Sequence, residues 1–256
     1  MQGYRKMRKR KRKAVSILSV LLIGVGLAFC YREPVLYQVR HQIHRFRKLW
    51  EAESAPGEAV DFTYWQSKNP DVCAWIRVPG TEIDYPVLQS ETESDDYYLS
   101  HDIEKESNLY GAIYIEKENS KDFTDPNTVI YGHNMRDGTM FGSLKKFTEK
   151  DFFEKHDSFT VYLPGETREY KIVAAYRYPA EHLLTSFDFG TPEGADDYFQ
   201  KIPGFVQDTG GYLRAGISIQ APLVTLSTCT PDDASMRYLV QGVLTENTKE
   251  EGTRKE

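Results

Sequence analysis

From residue 74 onward the chain is a succession of short β-rich runs that turn residues keep interrupting, and this limits the folds open to it. Ala74 to Val78, Ile83 to Leu88, Gly111 to Ile115 and Thr128 to Tyr131 are separated by Pro-Gly, Asp-Pro and Asn. Phe159, Val161 and Leu163 alternate with other residues before Pro164-Gly165 turns the chain into Tyr170, Ile172, Ala174 and Tyr176, the period-two pattern of a hairpin. Ile217 to Gln220, Leu223 to Thr228 and Arg237 to Leu244 read as three more strands, while Phe141 to Phe147 and Glu193 to Val206 read as helical. Many short strands leave many edges, and closure removes them. The expectation is a mainly β fold, a closed barrel with inserted helices, and 40% hydrophobic with 13% aromatic residues is ample for its core.

The N-terminal end is organised differently. Residues 1 to 13 carry eight Lys or Arg and no acid; removing them from the formal charge of −6 leaves the remaining chain at −14. An acidic body is a poor partner for nucleic acid, which needs clustered Lys and Arg on the folded part. Ala14 to Cys30 contains no charge and no residue more polar than Ser, and Tyr31 follows it. That length lies at the short end of the ~17–25 residues that cross a bilayer as a helix. The basic flank then stays in the cytoplasm and everything after it is exported. A cleaved signal peptide is the rival reading, but no small-x-small site ends the run. Leu27-Ala28-Phe29-Cys30 approaches a lipoprotein box, with the bulky Phe29 against it.

From Val35 to Trp50, Leu36, Val39, Ile43, Phe46 and Trp50 recur at helical spacing, and Glu51 to Glu58 has the Ser, Pro and Gly of a hinge. The expected organisation is a cytoplasmic basic segment over 1–13, a transmembrane anchor over 14–31 and a juxtamembrane helix and hinge over 32–59. The main domain then spans 60–247 and a polar tail 248–256.

Three cysteines occur, Cys30, Cys73 and Cys229. So few in an exported chain argue against a disulfide scaffold and raise the prospect of a functional thiol. No CxxC or HExxH spacing is present, so neither a structural metal nor a cofactor is expected. Cys229 ends the apolar run Leu223 to Thr228 and precedes Thr230-Pro231-Asp232-Asp233, which suits a nucleophile held at the mouth of a strand; a buried strand cysteine is the bland alternative. His133 stands where the β-run Val129-Ile130-Tyr131 meets Gly132 and a polar turn, and Arg237 opens the strand after the Cys loop. Taken alone, His133 reads as structural or merely exposed, and Arg237 as half of a surface ion pair with Asp232 or Asp233.

Together the three types make one chemistry. A thiolate attacks a peptide carbonyl, an imidazolium protonates the leaving amine, and a fixed cation steadies the oxyanion or aligns the substrate. Arg suits the last role because its planar fork stays charged.

Tyr131-Gly132-His133-Asn134-Met135, Thr225-Leu226-Ser227-Thr228-Cys229 and Arg237, in that order, resemble the signature of the sortases, over roughly residues 60 to 245. Asn69-Pro70-Asp71, Ala74-Trp75-Ile76, Pro79-Gly80-Thr81, Ile83-Asp84-Tyr85-Pro86-Val87, Met140-Phe141-Gly142-Ser143-Leu144 and the helical insertion Glu193 to Val206 are similar to the class B branch. The resemblance implies an eight-stranded sortase barrel with that insertion between its sixth and seventh strands. It also implies a membrane-anchored cysteine transpeptidase facing outward, with His133, Cys229 and Arg237 catalytic. Its substrates would be surface proteins ending in a sorting signal of the NPxTN or xPxTG sort, cut after Thr through a thioester at Cys229. A peptidoglycan amine would then be the acceptor.

By the same resemblance Ser227 contacts the substrate threonine, and Leu183 or Leu184 lines the signal groove. Cys73 reads as a packing residue, and Asp232 or Asp233 either orients His133 or lies in a solvated loop. A cysteine protease using water as acceptor needs the same Cys and His, and a non-catalytic surface barrel with Cys229 incidental is the reading from another class.

Overall fold

The computed structural model describes residues 60–249. The expected basic segment, anchor, juxtamembrane helix and hinge fall outside the described residues, as does the tail from residue 250. The described part opens with a short helix α1 (Phe62–Lys68), whose first turn is capped by Asp61 accepting from the Tyr64 amide at 3.0 Å. Its one buried residue, Trp65, lies 5.2 Å from the ring of Trp75 and so pins the helix to the first strand.

Nine strands follow: β1 (Val72–Arg77), β2 (Asp84–Leu88), β3 (Ile113–Ile115), β4 (Asn127–Tyr131), β5 (Ser158–Leu163), β6 (Glu166–Pro179), β7 (Tyr212–Leu213), β8 (Leu223–Cys229) and β9 (Met236–Lys249). Their order is β5-β1-β2-β3-β4-β8-β9-β6-β7, and β5 also pairs with β6. That second pairing closes eight strands into a barrel and leaves β7 as a two-residue strand beside β6. The β5–β6 hairpin turns at Gly165, whose φ of 76° a side chain would disfavour. The remaining helices are α2 (Lys150–Lys155), α3 (Leu183–Ser186) and α4 (Pro192–Thr209).

Alternation along the strands builds two cores. Val129, Leu223, Leu239 and Val243 join Tyr176, Tyr178 and the buried face of α4, namely Ala195, Tyr198, Phe199, Ile202 and Val206, in one cluster. Ile130, Leu226 and Val240, one residue out of phase and fully buried, point the other way, into the barrel. Helix α4 therefore covers the outside of the barrel. Thr191 caps it by accepting from the Gly194 amide at 3.2 Å, and Gly210 ends it in the left-handed conformation. Since β7 lies beside the barrel, α4 is inserted between the sixth and seventh barrel strands.

Two stretches differ from the sequence reading. Ile217 to Gln220 is not a strand: β8 is already flanked by β4 and β9, and this alternating run pairs with no strand. Its Ile217 and Ile219 pack against the α4 cluster instead. Phe141 to Phe147, read as helical, forms a 3-10 helix over Gly142–Thr148. Strand β9 runs on past Leu244 to Lys249 because the start of β6 reaches out to pair with it, Arg168 with Asn247 and Glu166 with Lys249. Main-chain bonding there outweighs the polar composition.

Candidate active site

Strands β4 and β8 are parallel neighbours, Tyr131 pairing with Ser227, so both C-terminal ends emerge at one rim of the barrel. Strand β9 is antiparallel to β8 and begins at that rim, with Arg237 directly across from Cys229. Continuing the β4–β8 register by two residues brings His133 alongside Cys229. The topology thus gathers His133, Cys229 and Arg237 into one row over three adjacent strands. A second row lies one step behind it on the same outward face: Tyr131, Ser227 and Leu239.

The His133 turn is stitched to the Cys229 strand by three bonds. The Gly132 amide donates to the Ser227 carbonyl at 3.2 Å, Thr228 Oγ1 to the Gly132 carbonyl at 2.7 Å, and Asn134 Nδ2 to the Cys229 carbonyl at 2.7 Å. Gly132 is required by close approach, since a Cβ there would sit 2.4 Å from Ile113 Cδ1 and 2.8 Å from Phe141 Cγ. The half-buried His133 ring meets the Leu99 carbonyl through Nε2 at 2.7 Å. A carbonyl only accepts, so Nε2 carries a hydrogen in this arrangement and Nδ1 is left for the reacting atoms.

Cys229 is exposed at the end of an otherwise buried strand. Cys73 is the opposite case: it is buried in β1, and burial pushes its thiol up to about 12. Arg237 is half-buried, and its Nη1 donates to the carbonyls of Ala234 and Met236 at 3.3 and 3.1 Å. Neither acid of the Cys loop pairs with it. Asp232 is held by Arg177 through two bonds of 3.0 and 3.1 Å, and Asp233 accepts from the backbone and side chain of Ser235 at 2.9 and 2.6 Å. Those same bonds leave neither carboxylate engaged with His133.

Ser227 is buried next to Cys229 in the strand, with its carbonyl serving the His133 turn. Leu183 is 5% exposed and belongs to the α4 cluster, so it packs beneath the surface, whereas Leu184 is half-buried against the same cluster. Two contributors escaped the sequence reading. Asn134 was visible only as a neighbour in the His133 motif. The Leu99 carbonyl, 34 residues before His133, had no signal in the sequence at all.

A family model described as the sortase domain matches residues 76–245. Sortase B of Listeria monocytogenes is 37% identical over 182 residues, covering 70% of this chain and 72% of the relative. Sortase B of Staphylococcus aureus is 27% identical over 227 residues, covering 86% and 91%. Among solved structures, Clostridium perfringens sortase B superposes with a TM-score of 0.64 at 31% identity, covering 73% of this chain and 100% of that one. With the motif residues gathered at one rim and a barrel of matching architecture, the chain belongs to the sortase family, in its class B branch.

Proposed function

We propose that this protein is a membrane-anchored cysteine transpeptidase that works outside the cell, cleaving a C-terminal sorting signal after Thr and passing the acyl group to a peptidoglycan amine. The observation that carries this reading is the row of His133, exposed Cys229 and Arg237 at one rim. The Cys229 thiolate attacks the threonine carbonyl, and the carbonyl π electrons move onto oxygen. Arg237 faces that oxyanion from directly across the strand pair. As the C–N bond breaks, His133 delivers a proton from Nδ1 to the leaving amine, its other nitrogen being held by Leu99. The incoming amine attacks the thioester, gives its proton to His133 and releases Cys229 as thiolate.

Ser227 stands one step behind this row on the same strand, and Ser227 and Leu184 are the proposed contacts for the signal, Leu183 being buried in the α4 cluster. The basic block and apolar run before residue 32 supply the anchor in this reading, with the N-terminus cytoplasmic. Water would serve the same atoms as acceptor, which makes hydrolysis the competing outcome. A panel of short peptides spanning NPxTN and xPxTG, each with and without an added amine, separates the readings. Faster turnover and an amine adduct carry transfer; product acid alone at an unchanged rate carries hydrolysis; and peptide binding that survives thiol alkylation with no turnover of any peptide would point to a binding barrel.

A further inference from the structure

Segment 180–191 leaves β6 and leads into α4, and the residue before its short helix α3, His182, is tied through Glu116 to Tyr131 of the second row. Leu183 enters the α4 cluster, and Leu184, Phe187 and Tyr131 pack against that same cluster. Four residues make only one turn, and a helix this short does not hold itself together. Something must fix it to the barrel, and Leu183 is its one buried residue.

His182, the residue before α3, supplies a second tie. Its carbonyl accepts from the amides of Thr185 and Ser186 at 3.1 and 3.0 Å, and its Nδ1 lies 3.2 Å from Thr185 Oγ1, so its own turn orients the ring. Nε2 reaches across to Glu116 Oε2 at 2.6 Å. Glu116 follows β3 and is fixed independently: its carbonyl accepts from the side chain of buried Gln89 at 2.7 Å, and Tyr131 Oη donates to the same Oε2 at 3.0 Å. Tyr131 in turn stacks on Tyr114, with ring centroids 5.4 Å apart. The Glu116 side chain is 12% exposed against 39% for His182. Burial pushes the Glu116 carboxyl up, and His182 and Tyr131 draw it back down.

We propose that Glu116, Tyr131 and His182 form a clasp that holds α3 against the edge of the His133–Cys229–Arg237 row, making Glu116 and His182 positioning residues for the peptide substrate. They touch no reacting atom. Their effect passes through Tyr131, whose register partner Ser227 lies two residues before Cys229, so loosening the clasp costs substrate affinity and leaves the chemical step alone. This deepens the acyl-transfer reading and rests on it for its kinetic half.

The test uses the full chain with His182→Ala, Glu116→Ala, the double variant, and Glu116→Gln, which keeps an acceptor oxygen for both partners. Amide hydrogen exchange of residues 183–189 is measured beside kcat and KM on the most active peptide of the panel. Expected are a KM raised roughly three- to tenfold in either alanine variant, the size of effect one half-buried charged hydrogen bond supplies, with kcat within about twofold of wild type. Exchange in 183–189 should accelerate, the double variant should be no worse than the poorer single, and Glu116→Gln should fall in between. His182 is exposed, so its variant keeps the experiment decisive if Glu116→Ala fails to fold. Unchanged exchange, additive singles, an unchanged KM or a fall in kcat alone overturns the clasp while leaving acyl transfer standing. A wild type inert on every peptide overturns the acyl-transfer reading and the substrate-positioning role together.

Discussion

Arg237→Ala separates a catalytic cation from a structural one, because the structure assigns the two readings very different magnitudes. Arg237 holds two backbone carbonyls, at 3.1 and 3.3 Å, on a half-buried side chain. The carboxylates that would have made it an ion pair are committed elsewhere, Asp232 to Arg177 and Asp233 to Ser235. Hydrogen bonds of this partly exposed kind are worth about 1 kcal/mol net. That corresponds to about 2–4 °C at most in the melting temperature of a domain this size. A donor aimed at the developing oxyanion is worth on the order of 10²–10³ in turnover, ~3–4 kcal/mol. Steady-state kinetics on a sorting peptide, read beside thermal unfolding, should therefore show kcat falling by at least a hundredfold with KM and Tm nearly unchanged. Arg237→Lys keeps the charge without the planar fork and should recover only part of the loss. A rise in KM alone would indicate ground-state binding. Near-wild-type kcat in both variants would refute the reasoning.

Asn134→Ala removes the bond that ties the His133 turn to the Cys229 carbonyl; we expect kcat to drop about tenfold or more from misplacement of the imidazole, with Tm lowered by no more than a few degrees, measured on the same peptide. Iodoacetamide at pH 8 should label Cys229 and spare Cys73, because a thiol near 12 is ionised there to roughly one part in ten thousand; site-resolved mass spectrometry reads the two. Gln241 donates to Tyr198 Oη at 2.6 Å and to Thr225 Oγ1 at 2.8 Å in a buried network under α4, so Gln241→Ala should cost about 1–3 kcal/mol in chemical denaturation while leaving KM unchanged.

The fold was legible where local chemistry decides it. Pro164-Gly165 marks a turn whatever surrounds it, and Thr225 to Cys229 carries an apolar period-two run into a string specific enough to name a family. What escaped was set by partners distant in sequence. Ile217 to Gln220 alternates as a strand should, but its Ile217 and Ile219 pack against the α4 cluster instead of pairing in the sheet. Thr245 to Lys249 is polar and lies past the run read as strand, and it becomes strand because residues 166–169 extend beside it. The parallel pairing of β4 with β8 brings His133 to Cys229, yet it joins segments 96 residues apart and leaves no local trace. The Leu99 carbonyl is harder still, since a main-chain acceptor has no residue type to read. Leu183 and Leu184 show the same limit at finer grain: adjacent leucines look alike in sequence, and helical geometry buries one and leaves the other at the surface.

The central claim is that Cys229 carries the acyl group, and intact-protein mass spectrometry during turnover tests it most directly. The enzyme is mixed with a sorting peptide without amine acceptor, quenched in acid at short times and digested to locate the adduct. The account expects the N-terminal part of the peptide, ending at Thr, attached to Cys229 as a thioester that an added amine discharges into an amide product. An adduct on another residue, or full peptide turnover by Cys229→Ala, would contradict it.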